Sequence, residues 1–324
     1  MPQGNHSPLP IDATLGRELM VAGLRADHAR SYGGITTIHV AQQAVGRLRS
    51  LTEQATEQAT ERAVSSASVV LDLFIDKRRV PLNDVRRGLE SVTPSLFTRL
   101  SNSGLLASDG QTVWAPRAIL PVAQRLICAP WAMLPDDSSL HLLGCLPRMS
   151  ATHRWLDIGT GTGLLPLIGA RGTTTATDVS TSCLAAAVIG EALSGIRKSI
   201  QWCHADLFED LDPRSYDLIT FNAPIENHAS LLTRFWHQAP RFLAPGGEIL
   251  VHSVISPSPA GPTPKQAPPH AFTSTIIYSP PEFTPAFGVT LHRPDGPSRK
   301  SYFSYRQLTV RAPHLTRADL QIPD

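Results

Sequence analysis

Net charge, paired cysteines and long apolar runs are all scarce in this chain, and each scarcity removes a class of function. The 324 residues carry 29 basic and 27 acidic side chains, a formal net charge of +2, with a pI near 8.4. That balance gives no strong electrostatic footprint for nucleic acid. The basic residues are also scattered: Lys77-Arg78-Arg79, Arg86-Arg87 and Arg299-Lys300 are short clusters, not a stripe. Nucleic acid is therefore not expected as a partner. The four cysteines (Cys128, Cys145, Cys183 and Cys203) form no C-x-x-C pair, so neither a zinc site nor a disulfide framework is expected. They read as packing residues. Cys203 and His204 are adjacent, which points them to opposite faces of a strand and disfavours joint ligation of a metal. No run reaches the roughly 18 apolar residues of a membrane span, and the N-terminus lacks the charged-then-apolar pattern of a secretion signal. The expectation is a cytoplasmic, water-soluble protein with no metal and no membrane partner, long enough for two domains.

What is present is a glycine turn with companions. Trp155-Leu-Asp-Ile-Gly-Thr-Gly-Thr-Gly163 runs from an apolar strand into three glycines at alternate positions, with Asp157 among the apolar residues. Glycine there permits positive φ and lets a ligand lie against bare backbone. Thr173-Thr-Thr-Ala-Thr-Asp178 is a β-prone run ending in an acid 21 residues after Asp157. A carboxylate at the end of a second strand is placed to accept hydrogen bonds from ribose hydroxyls. Its other reading is a helix N-cap, since Ser180 and Thr181 follow. Ile200 to Phe208 is a third strand closing on Asp206, Leu207 and Phe208, a polar clamp with apolar neighbours that suits an adenine ring. Tyr216 to Ile225 is a fourth strand running into a polar loop, and Phe242 to His252 a turn and a fifth strand. Helical stretches, Leu164 to Gly169, Cys183 to Ser194 and Ser230 to Phe242, fall between. Alternation of this kind predicts an α/β fold, a doubly wound parallel sheet with its site at the carboxyl ends of the strands.

Leu156-Asp-Ile-Gly-Thr-Gly-Thr-Gly163, Asp178, Ala205-Asp-Leu-Phe208 and Phe221-Asn-Ala-Pro-Ile225 together resemble the ordered motifs of class I S-adenosylmethionine-dependent methyltransferases. The similarity is greatest to the branch holding glutamine and small rRNA N-methyltransferases, and it spans about residues 150 to 255. A nicotinamide enzyme would instead favour G-x-G-x-x-G. The resemblance implies a Rossmann-like methyltransferase sheet and S-adenosylmethionine (or S-adenosylhomocysteine) as cofactor. It implies a binding set of Asp157, Gly159, Thr160, Gly161, Gly163, Asp178, Val179, Asp206, Leu207 and Asn222.

The fourth motif departs from that branch. Its members carry Asn-Pro-Pro and an aromatic, whose ring stacks on a planar acceptor. This chain keeps Asn222 and Pro224 but has Ala223 for the first proline and Ile225 for the ring. What survives is a polar hook for an N–H donor in a more aliphatic pocket, which fits a non-planar amine better than a glutamine amide or a base. Glu226 and His228 follow, and either could take the proton of an attacking amine. Both also read as solvated residues before a helix. The catalytic candidates are thus Asn222, Glu226 and His228.

Upstream, residues 1–12 read as a tail and residues 13–115 as a mainly helical domain. Helices are expected over Ala13 to Ala29, Thr36 to Arg62, Ala67 to Ile75, Leu82 to Leu89 and Pro94 to Ser103. A hairpin with Asp109-Gly110 at its tip closes the domain. The order resembles a winged helix. Its second helix offers one cation, Arg99, too few for a DNA reader. A role in pairing subunits, binding a partner subunit or shaping the pocket is expected instead. Residues 116–150 hold two apolar runs expected to bridge the domains, and Trp131 reads as core. In the catalytic domain, 151–324, nine prolines between 256 and 285 predict a structureless insertion, and Ser301 to Arg311 alternates as a final antiparallel strand.

Three functions follow. The first is methyl transfer to a nitrogen of a small molecule, of the kind made in secondary metabolism, or of a peptide. The second keeps the fold but catalyses a non-methylating step in natural-product biosynthesis, such as amine cyclisation with loss of a leaving group. The third is a winged-helix regulator that senses the cofactor.

Overall fold

The computed structural model describes residues 11–24, 65–122, 124–196, 200–211, 213, 216–224, 228–254, 272–278 and 287–294. The chain divides into two units, Met1–Pro135 with Ala185–Ile196, and Asp136–Leu184 with Arg197–Asp324. The helix expected over Thr36 to Arg62 lies outside the described residues.

In the first unit, α1 (Ala13–Val21) starts where the Asp12 side chain accepts the Leu15 N–H at 2.9 Å. It stops eight residues before the Ala29 expected from apolar spacing. The reason is local: Gly23 takes φ 115°, and the Leu24 N–H returns to the Leu19 carbonyl at 3.0 Å, which closes the last turn. There follow α2 (Ser66–Phe74), β1 (Val80–Pro81), α3 (Leu82–Glu90), α4 (Leu96–Asn102), β2 (Ala107–Ser108) and β3 (Thr112–Trp114). The strands form an antiparallel sheet in the order β1-β3-β2. The hairpin turn is held by Asp109, whose carboxylate accepts the Gln111 and Thr112 backbone N–H groups at 3.0 and 2.7 Å. Those bonds to the charged form hold its pKa down at about 2. Next comes a hairpin of β4 (Arg117–Val122) and β5 (Arg125–Pro130). Trp131 donates its indole N–H to the Ala115 carbonyl at 2.9 Å.

Gly16 of α1 shows how closely this unit packs. A Cβ built there would sit 2.0 Å from the Leu193 carbonyl oxygen, a backbone atom that cannot rotate away. Gly16→Ala is expected to destabilise the protein by about 1–3 kcal/mol through overpacking. Thermal unfolding would show it as a drop of several degrees, and an unchanged midpoint would refute the contact.

The second unit opens with α5 (Asp137–Cys145), a helix not expected from the sequence. Asp136 caps it by accepting the Ser138 N–H at 3.1 Å, and Leu140, Leu142 and Leu143 are buried. Then come β6 (Arg154–Ile158), α6 (Leu164–Gly169), β7 (Thr173–Asp178), α7 (Thr181–Ser194), β8 (Ile200–His204), β9 (Tyr216–Asn222), α8 (His228–Gln238) and a 3-10 turn (Ala239–Phe242). Strands β10 (Leu243–Val254), β11 (Phe272–Tyr278) and β12 (Phe287–Pro294) complete it. The seven-stranded sheet runs β11-β12-β10-β9-β6-β7-β8. The pairs β8–β7, β7–β6, β6–β9 and β9–β10 are parallel, while β12 runs antiparallel to β10 and to β11.

β6 and β7 are buried except at their first residues and, on β7, at Asp178. Such near-continuous burial is how parallel strands read when both faces are covered. Beside them a ring cluster fills one part of the core: Phe221 stacks on Phe235 at 4.8 Å, and Phe208 on Phe242 at 4.8 Å. Burying each such ring is worth about 1.5–3 kcal/mol.

One expectation is corrected. The insertion at 256–285 is not wholly structureless, because Phe272 to Tyr278 forms β11. That run of β-branched and aromatic residues is the proline-free part of the segment, so it can enter a ladder. The antiparallel strand next to β10 is Phe287–Pro294; Ser301 to Arg311, expected as a final antiparallel strand, lies outside the described residues.

Candidate functional site

The glycine turn sits at the carboxyl end of β6, the central strand of the parallel set. Gly159, Gly161 and Gly163 all adopt positive φ (62°, 57° and 75°), which explains the alternate spacing. At Gly161 a Cβ would meet no protein atom within 4 Å, so bare backbone faces open space. This is a seat that a ligand can fill and a side chain would obstruct.

Two acids hold the turn. Asp178, at the end of β7, accepts the Gly161 N–H at 2.7 Å and the Ser180 N–H at 2.8 Å. Asp178 thus braces the turn and the residue before α7, while the side chain that caps α7 is Ser180, whose hydroxyl accepts the Cys183 N–H at 3.3 Å; each Asp178 carboxylate oxygen keeps a further lone pair. Asp157 is buried, and its oxygens accept the Thr160 and Thr220 hydroxyls at 2.6 and 2.5 Å. Thr220 in turn accepts the Trp155 indole N–H at 2.8 Å. Burial pushes the Asp157 carboxyl up to about 6; the two hydroxyl bonds oppose that, and the charge of Asp178 adds to it. Thr160 is buried and also donates its N–H to the Thr177 carbonyl at 2.8 Å.

Beyond β7, Val179 is 67% exposed. Asp206 follows β8 and pairs with Arg234 at 2.8 Å, which raises the Arg234 pKa. Leu207 carries φ 57°, a left-handed conformation that costs a branched side chain roughly 1–2 kcal/mol. Its side chain is buried with Phe208 in the core cluster. That burial holds the strained backbone of this loop in place.

Asn222 ends β9, one residue past the register pair Phe221–Ile158, so it lies level with the glycine turn. Its amide donates to the hydroxyls of Ser138 at 2.7 Å and Ser139 at 3.3 Å. His252 is the register partner of Asn222 on β10, and its ring lies 5.8 Å from that of His141 on α5. Burial lowers the His141 pKa to about 4, against the pull of Asp136, so that ring is neutral at physiological pH. Ser138, Ser139, His141, His252, Thr220 and Arg234 were not singled out from the sequence. Only the Asp136-Asp137-Ser138-Ser139 capping pattern could have flagged the first two. Glu226 lies outside the described residues, and His228 opens α8 with its side chain outside them. Among the described residues no His, Cys, Asp and Glu group is arranged to hold a metal, and none of their helices is long and apolar enough to cross a membrane.

A mainly parallel sheet ordered this way, with an antiparallel strand inserted near one edge and a carboxylate-braced glycine turn at its centre, is a Rossmann-like arrangement. Residues 132–257 match the family model of the methyltransferase small domain. Residues 132–257 thus form an S-adenosylmethionine-dependent methyltransferase domain, with S-adenosylmethionine as its cofactor. Among solved structures it is similar to a ribosomal protein methylase of Lactobacillus delbrueckii subsp. bulgaricus, at 20% identity over 49% of this chain and 77% of that one (TM-score 0.38). It is also similar to the 16S rRNA N2 methyltransferase RsmC of T. thermophilus, solved with AdoMet and guanosine, at 19% identity over 67% and 63% of the two chains (TM-score 0.43). A third likeness is to a structure described for conversion of a disulfide into a thioacetal during echinomycin biosynthesis, at 16% identity over 45% and 78% (TM-score 0.34). No curated protein matches the chain in sequence.

Proposed function

We propose that this methyltransferase acts on a nitrogen of a small molecule, of the kind made in secondary metabolism, or of a peptide, with Asn222 holding the acceptor. The observation that carries the reading is the commitment of the Asn222 Nδ2 to Ser138 and Ser139. That leaves the Oδ1 as the atom able to accept an N–H, at the level of the glycine turn. With Ala223 and Ile225 in place of a proline and a ring, the motif offers no stacking face, which favours a non-planar amine.

S-adenosylmethionine supplies an activated methyl group when bound. Gly159, Thr160, Gly161 and Gly163 would line its seat, Asp178 would take the ribose hydroxyls, and Asp157 would face the ammonium of its amino-acid part. Val179, Asp206 and Leu207 would border the adenine. The chain's contribution to the reaction is alignment of the acceptor's lone pair with the methyl carbon, worth several kcal/mol. As the C–N bond forms and the methyl–sulfur bond breaks to leave the thioether, the nitrogen would become cationic, its N–H bonds would grow more acidic and the Asn222 acceptor would gain in strength. The proton then leaves to Glu226 or His228, the nearby bases in sequence.

The first unit is proposed as a winged-helix-like module that pairs subunits or shapes the acceptor pocket. Its helix–strand–helix–helix–hairpin order supports this, and the one cation of its second helix is already engaged: Arg99 pairs with Glu18 and, at 3.7 Å, with Asp12.

Mass spectrometry with a methyl-labelled cofactor and a panel of amines and peptides should show one labelled methyl gained on nitrogen. Turnover of such substrates without methyl gain, in a protein that binds the cofactor, would overturn the reading.

A further inference from the structure

The hydrogen bonds behind Asn222 have a direction, and that direction ends on a charge. Asp136, the N-cap of α5, has extended backbone (φ −111°, ψ −176°), and its Oδ1 takes both the backbone N–H of Ser138 and the Ser138 hydroxyl. An ionised carboxylate only accepts, so the single hydroxyl proton of Ser138 points at Asp136. Toward Asn222, then, the Ser138 Oγ has only lone pairs to offer. The partner at 2.7 Å must be the amide nitrogen. An amide turned the other way would ask the one Ser138 proton to serve two acceptors. The choice between the two ends of the Asn222 side chain, normally ambiguous, is therefore settled by a carboxylate two bonds away.

The same chain changes the strength of the exposed end. Donation of an amide N–H draws nitrogen electron density into the carbonyl, and successive bonds running the same way reinforce one another by about 10–30% each. An oxygen so enriched suits an N–H donor that is becoming cationic. Helix α5 is a firm base for this, since its next turn carries the His141–His252 ring contact to the strand beside Asn222.

We propose that Asp136 and Ser138 are positioning residues for methyl transfer, which set the atom that Asn222 presents to the acceptor and strengthen it. The inference rests on the reading of Asn222 as the acceptor's hook.

The test needs no substrate. S-adenosylhomocysteine and sinefungin, the analogue in which an amine-bearing carbon replaces the sulfur, share every group except a cationic amine where the methyl would be. Calorimetry on the full chain gives the ratio of the two affinities. Ser138→Ala should cut the preference for sinefungin about fivefold to tenfold, the size of one ordinary hydrogen bond. Asp136→Asn should cut it about threefold while keeping the helix cap, because Asn caps as well as Asp. Ser138→Thr should restore it, and S-adenosylhomocysteine should bind all three within about twofold of the parent, which also reports intact folding. A ratio unmoved by Ser138→Ala, or one that Ser138→Thr fails to restore, overturns the relay. A different result, an Asn222→Ala ratio equal to the parent's, overturns the reading of Asn222 itself.

Discussion

Asp178→Ala is expected to weaken S-adenosylhomocysteine binding about a hundredfold. Hydrogen bonds to a charged acceptor are worth about 1.5–3 kcal/mol, and two ribose hydroxyls on this carboxylate would supply about 3 kcal/mol together. Truncation does more than remove them. The Gly161 and Ser180 N–H groups, at 2.7 and 2.8 Å, lose their acceptor, so the turn loses its brace as well. Asp178→Asn should rescue little, because an amide turns an NH2 toward one of two backbone donors where an oxygen now sits. Calorimetric titration measures the loss. Affinity within about threefold of the parent would place the sugar elsewhere and leave Asp178 as a brace for the turn alone.

The second large effect is with pH. The empty protein holds Asp157 at about 6, and an ammonium brought beside it would favour the ionised form and lower that value. Below the free pKa, each further unit then costs about tenfold in affinity; across the transition, between pH 7 and 5, S-adenosylhomocysteine should bind about tenfold more weakly. Stability runs the other way. A carboxyl whose pKa is raised on folding from the ordinary 3.8 to about 6 stabilises the protein fully below 3.8. That contribution fades as pH rises through 6, by about 3 kcal/mol in all. Asp157→Asn should flatten the binding profile. An affinity independent of pH in the parent, with unfolding still pH-dependent, would make Asp157 a brace for Thr160 and Thr220 and nothing more.

The centre of the domain was legible in the sequence because backbone conformation dictated residue type there. Alternate glycines at 159, 161 and 163 meet three positive φ values, and Asp178 ends its strand as its spacing implied. The acceptor side was harder to read. Helix α5 is nine residues long, lies between prolines and apolar runs, and reaches Asn222 across 84 residues of sequence through a serine hydroxyl. Short polar contacts of that kind leave no periodicity. His252 read as one more residue of a buried strand, and the partnership of Arg234 with Asp206 depends on a helix face that spacing alone does not orient. In the insertion, proline density masked the one proline-free run able to pair.

The braced glycine turn has a cost for turnover. Its backbone and its two acids are held by the protein's own hydrogen bonds, and in the proposed binding mode each of them would grip features that spent and fresh nucleoside have in common. Nothing in that grip loosens when the methyl departs. The thioether should therefore linger and compete with the next molecule of fuel, so that throughput depends on whatever clears it from the surroundings.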